Sequence, residues 1–166
     1  MKMRWRNLKK KEIYRHYGSN KFNKDEFINV FNTPYSNKPS GGLWSCPTID
    51  VDISWNEWSK SNDFRLDKLE EYFDFTLSED AKVLEIKDIK DLANLPTIRQ
   101  DYCLGIYDVN IDFEAISKEY DAMMVWMYRS EDLDDSVRMF DGMYYKLYGW
   151  DVDTLLVFNP NVIKEI

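Results

Sequence analysis

Short β-prone runs, each closed by a turn signal, recur along this chain and restrict it to folds built around a sheet. Glu12 to Tyr17 runs into Gly18, and Leu43-Trp44-Ser45-Cys46 stops at Pro47. Tyr72 to Leu77 alternates and is rich in aromatics. Ala81 to Ile86 follows across a Glu79-Asp80 turn, so the two are expected to pair as a hairpin. Asp121 to Met127 reads as a buried strand, and Thr154 to Phe158 as a last one, ended by Asn159-Pro160. Helical signals are fewer. One lies behind Asn23-Lys24-Asp25-Glu26, with Phe27, Ile28, Val30 and Phe31 as its apolar residues. Others surround Trp55 and Trp58, pass through Leu66 and Leu69, and cover Ile89 to Leu95 and Ile111 to Tyr120. A further helix is expected from Ser130 through Met139, Phe140 and Tyr144, its Glu131, Asp132, Asp134 and Asp135 complementing the helix dipole. Asn32 to Gly42, crowded with Pro, Gly, Asn and Ser, is expected to be loop. Short strands mixed with a few helices make the class α+β.

The chain has 166 residues, so one domain over residues 12–166 is expected, behind a basic arm over residues 1–11. Aromatics at 16% exclude a disordered chain. A net charge of −8 repels phosphate backbones, so general nucleic-acid binding is not expected, whereas a basic protein partner is compatible. Cys46 and Cys103 lack metal-ligand spacing; a single disulfide between them stays open, and two free thiols in a reducing, cytoplasmic setting is the simpler reading. No run of about 18 apolar residues is present, so no membrane span is expected. The basic arm lacks the apolar stretch of a secretory signal.

Chemistry is narrowed by histidine. The chain has one, His16, in Tyr14-Arg15-His16-Tyr17-Gly18-Ser19, so any imidazole-dependent step runs through it. Neither cysteine sits in a nucleophile-elbow context, and Ser40-Gly41-Gly42 lacks the ending of a phosphate loop. One His and two Cys fall short of a zinc site, and no metal is expected. Asp151 and Asp153, two apart at the lip of the last strand, point to one face of an extended chain. They are either catalytic carboxylates or a capped strand end. Lys38-Pro39-Ser40-Gly41-Gly42-Leu43-Trp44-Ser45 combines paired glycines, which admit a ligand close to the backbone, with a tryptophan face for stacking. Its plainer reading is a loop leading to a core tryptophan.

Taken in order, these segments resemble the ADP-ribosyltransferases of the diphtheria-toxin-like and poly(ADP-ribose)-polymerase-like group, in particular small bacterial or phage members. Tyr14 to Ser19 is similar to that group's first motif, a strand ending in His before a small-residue turn. Gly42-Leu43-Trp44-Ser45 is similar to the second, and the expected hairpin of residues 73–77 and 81–86 to a middle one. Asp151 to Ile163 is similar to the final acidic residue, strand and Asn-Pro turn. Tyr17 stands between His16 and Gly18, Trp44 replaces a tyrosine, and Asp153 or Asp151 stands where the group has Glu. In the group's Arg-Ser-Glu variant, Arg15 and Ser45 would take the first two places.

The resemblance implies a split two-sheet fold with short flanking helices and NAD as substrate, held in a cleft between the sheets. It implies that His16 bonds an NAD ribose hydroxyl and that backbone near Tyr17 and Gly18 holds the carboxamide. Trp44 and Tyr17 would wall the nicotinamide, and Asp153 would steady the charge that develops as the glycosidic bond breaks. ADP-ribose would pass to a protein or nucleic-acid acceptor. Two other expectations stay open. One is a non-enzymatic acidic inhibitor that blocks a basic groove by mimicking nucleic acid, and the other is an NAD hydrolase in which water replaces the acceptor.

Overall fold

A computed structural model describes residues 12–34, 36–49, 51–98, 108–128, 133 and 137–166. The first half contains strands β1 (Tyr14–Tyr17), β2 (Phe31–Thr33), β3 (Ser36–Ser40), β4 (Leu43–Pro47), β5 (Tyr72–Leu77) and β6 (Val83–Ile86). It also contains helices α1 (Trp55–Ser61) and α2 (Ile89–Ala93). The second half contains β7 (Asp108–Val109), α3 (Phe113–Glu119), β8 (Ala122–Val125), β9 (Val137–Phe140), β10 (Met143–Lys146), β11 (Thr154–Val157) and β12 (Ile163–Glu165). The class is α+β. A seven-stranded sheet runs β12-β5-β1-β4-β11-β8-β6, antiparallel except for the β6–β8 pair. A second sheet runs β7-β10-β9, and β2 and β3 form a separate hairpin.

Every residue of β6, β8 and β11 is buried. These strands therefore lack alternation, as strands covered on both faces do. One face carries Leu84, Ile86, Met123, Val125 and Leu156 against Leu92 of α2, Phe113 and Ile116 of α3, and Trp150. The other carries Val83, Met124, Leu155 and Val157 against Tyr14, Phe75 and Trp126. The helices start where side chains satisfy their free N–H groups: Ser54 and Glu57 form a capping box on α1, Asp88 caps α2 and Asp112 caps α3. Among the described residues no helix is long and apolar enough to cross a membrane.

Several expectations change. Residues 72–77 and 81–86 are both strands but not a hairpin: β5 lies between β1 and β12, while β6 crosses to the far edge beside β8. The helix expected after Asn23 is a 3₁₀ turn, Lys24–Glu26, and Ile28 and Phe31 beyond it are exposed. The 32–42 loop is largely the β2–β3 hairpin. It is held by Asn37, 4% exposed, whose amide donates to the carbonyls of Val109 and Lys146 and accepts from the Ile111 N–H. Met139, Phe140 and Tyr144 belong to the β9–β10 hairpin around Asp141 and Gly142, not to a helix. The Ser130 to Asp135 acidic run other than Leu133, the basic arm and Cys103 lie outside the described residues.

Candidate functional site

β1 pairs with β5 along its whole length but with β4 only at Tyr14↔Pro47 and Arg15↔Cys46. Beyond Arg15 the two strands part, and a cleft of about 610 Å³ opens over them. Arg15, His16, Tyr17 and Gly18 line it from β1 and its turn, and Trp44, Ser45 and Cys46 from β4. Val152 and Thr154 line it at the start of β11, Lys38 to Gly42 from β3 and its turn, and Trp55, Phe64, Arg65 and Lys68 from the α1 segment.

Alternation along β1 puts Arg15 and Tyr17 on one face and His16 on the other, beside Phe73 at 5.3 Å between ring centroids. The His16 Nδ1–H donates to the Trp44 carbonyl at 2.7 Å, bridging the gap where the strands part. A carbonyl only accepts, which fixes the tautomer and leaves Nε2 as an acceptor. Burial pushes the His16 pKa down, against a smaller upward pull from that carbonyl, so the ring is neutral at pH 7. Arg15 makes two hydrogen bonds to Asp74 and lies 3.8 Å over the Tyr72 ring. Burial raises the Tyr17 pKa, and Arg15 opposes the shift.

Trp44 is not a bare stacking face. Its Nε1 donates to the Gly41 carbonyl, its ring centroid lies 4.8 Å from that of Trp150, and the Lys38 ammonium sits 5.1 Å over its ring. The Ser45 hydroxyl is engaged by the Leu155 carbonyl at 3.0 Å. The Gly18 N–H donates to the Glu71 carbonyl at 2.7 Å, so it is not free for a carboxamide. Burial pushes the Cys46 thiol up to about 11, which makes it a poor nucleophile at neutral pH.

The two carboxylates separate. Asp153 is 1% exposed, and its Oδ1 accepts the Tyr128 N–H at 3.0 Å. It is absent from the cleft lining, although its neighbours Val152 and Thr154 are part of it. Asp151 is half-buried; burial raises its pKa and the Lys38 ammonium opposes the rise. Among the described residues no Asp or Glu lines the cleft. Sequence reasoning missed Asp74, Trp55, Phe64, Arg65 and Lys68 and assigned Lys38 no role. A positive residue in a Pro/Gly segment beside Trp44 was the one local signal for Lys38.

In the sheet, β1, β4 and β11 are consecutive neighbours, so residues 14–17, 43–47 and 154–157 lie side by side. No protein-family model, curated protein or solved structure matches the chain.

Proposed function

We propose that this chain is an NAD-dependent ADP-ribosyltransferase, a cytoplasmic protein that binds NAD in the β1–β4 cleft and transfers ADP-ribose to a protein or nucleic-acid acceptor. One observation carries the reading. Three segments remote in sequence, each resembling one of the family's ordered motifs, form the adjacent strands β1, β4 and β11, and Arg15, His16, Tyr17, Gly18, Trp44 and Ser45 all line one cleft. Its volume of about 610 Å³ is within the range of small-molecule sites.

In this reading His16, whose ring lies on the face opposite Arg15 and Tyr17, positions β4 against β1 through its bond to the Trp44 carbonyl. Tyr17 and Trp44 flank the nicotinamide. As the glycosidic bond breaks, nicotinamide leaves with the bonding electron pair and the ribose C1′ becomes oxocarbenium-like. A carboxylate held near C1′ stabilises that charge where it develops. Neither Asp151 nor Asp153 is among the described lining residues; the transfer reading assigns this role to Asp151, whose charge acts on the cleft residue Lys38, because the Asp153 carboxylate is buried and engaged by the Tyr128 N–H. Asp153 then serves as a positioning residue for the segment before β11.

A second reading, dinucleotide binding without transfer, is favoured by the lack of Asp and Glu among the described lining residues. Incubation with NAD, with and without cell lysate, separates the possibilities. Nicotinamide release with labelling of a macromolecule supports transfer, and release without labelling indicates hydrolysis. NAD binding without release supports the second reading. No NAD binding at millimolar concentration removes both in favour of an acidic interaction protein.

A further inference from the structure

We infer that Lys38 and Arg65, with Lys68 at the mouth, form an anion subsite of the cleft that takes a diphosphate group; naming a dinucleotide as its bearer rests on the NAD reading. The chain carries a net charge of −8, yet the described cleft lining holds Arg15, Lys38, Arg65 and Lys68 and no carboxylate. Charge of one sign gathered in a cleft concentrates ligands of the other. Arg15 is engaged by Asp74, and Lys68 has Asp67 at 3.8 Å. Among the described residues neither Lys38 nor Arg65 makes an ion pair within 4.0 Å.

These two cations are also held in place. The Lys38 ammonium lies over Trp44, and the Arg65 guanidinium lies 5.6 Å over the Phe64 ring, which packs edge-on against Trp55 and Trp58. Ring contacts limit the freedom each side chain would lose on binding. The Lys38 stem crosses Gly149, where a Cβ would stand 2.4 Å from Lys38 Cδ, so a glycine there leaves the stem its path. Arg65 has φ 48°, in the left-handed region that a non-glycine residue seldom adopts, at the head of the 3₁₀ turn Leu66–Lys68. Lys38 and Arg65 repel: Arg65 adds to the effect of burial in lowering the Lys38 pKa, against an upward pull from Asp151. An anion between them turns that repulsion into attraction. Cations presented from two sides suit an anion with well-separated oxygens, and the arginine fork suits phosphate.

The test is calorimetric titration of inorganic pyrophosphate and of NAD into the wild-type chain, a Lys38→Gln/Arg65→Gln double variant, Arg65→Lys, and Lys82→Gln as a remote charge control. Pyrophosphate is expected to bind the wild type, to weaken with added salt, and to lose about 10-fold or more in affinity in the double variant. Lys82→Gln is expected to keep it, and Arg65→Lys to weaken it less than the double variant does, since the charge stays and the fork is lost. No pyrophosphate binding at millimolar concentration, or equal binding by a folded double variant, overturns the subsite. NAD binding unchanged in the double variant overturns it while leaving the NAD reading intact. Pyrophosphate binding lost in the double variant, with NAD never bound, supports the subsite and removes the NAD reading.

Discussion

The Arg15 guanidinium meets both carboxylate oxygens of Asp74, Nε to Oδ1 at 2.7 Å and Nη2 to Oδ2 at 2.8 Å, across the β1–β5 pair. The side chains are 28% and 26% exposed, so water screens the pair, but the two-point geometry favours it over an ordinary surface contact. Asp74→Asn is expected to lower the unfolding free energy by about 1 kcal/mol. The measurement is a urea titration, in which the midpoint falls and the slope stays constant. An unchanged midpoint would mean that the pair orients Arg15 without stabilising the fold.

His16 gives stability a pH dependence of known sign. Its folded pKa lies below the unfolded value of about 6.5, because burial disfavours the charged ring. The unfolded chain therefore binds the proton first as pH falls. Stability is full above that value, declines as pH drops below it, and levels off beneath the folded pKa. In His16→Gln, whose amide can still donate to the Trp44 carbonyl, the decline is expected to shrink. Paired urea titrations across that interval check it, and parallel curves for wild type and variant would refute it.

Gly41 and Gly142 have nearly the same φ, +75° and +77°, but different surroundings. A Cβ on Gly41 would stand 2.3 Å from the Asn29 carbonyl oxygen and 2.9 Å from that of Ile28, whereas one on Gly142 meets nothing within 4 Å. Gly142→Ala is expected to cost about 1 kcal/mol, from backbone strain. Gly41→Ala is expected to cost roughly 2–4 kcal/mol, since overpacking against backbone adds to the same strain. Thermal unfolding of the two variants compares them directly, and equal shifts would show that the Gly41 turn relaxes freely.

What was legible in the sequence was local. The strands at residues 14–17, 43–47, 72–77 and 154–157 follow from β-prone runs and their turn signals. The first, second and fourth of these bring His16, Trp44 and the β11 lip to one cleft. Pairing partners were not legible. A turn at Glu79-Asp80 suggests a hairpin, but β12 takes the outer edge of β5 and β6 finds buried cover beside β8, and no short-range signal specifies either choice. The β2–β3 hairpin looked like loop because what orders it is the Asn37 amide reaching carbonyls 72 and 109 residues away. The shared cleft of Lys38 and Arg65 was not legible for the same reason: it depends on how strand β3 and the segment before the 3₁₀ turn Leu66–Lys68 approach each other in the fold.

Asp151 and Asp153 are expected to fail in different ways when substituted. Asp153→Ala leaves the Tyr128 N–H without its acceptor, so its main effect is a loss of about 1–3 kcal/mol of stability. Asp151→Asn is expected to leave the fold intact and, on the proposed transfer reading, to slow nicotinamide release by about 100- to 1,000-fold, the usual effect of removing one group that stabilises transition-state charge. The pH profile adds a second readout. Burial holds the Asp151 pKa above the ordinary aspartate value, and the active form is the carboxylate, so release is expected to fall with decreasing pH along a limb above about 3.9. The Lys38 ammonium pulls that pKa down, so Lys38→Gln is expected to shift the limb to higher pH, and Asp151→Asn to abolish it. Wild-type release by Asp151→Asn, or a limb indifferent to Lys38, would remove Asp151 from the reaction.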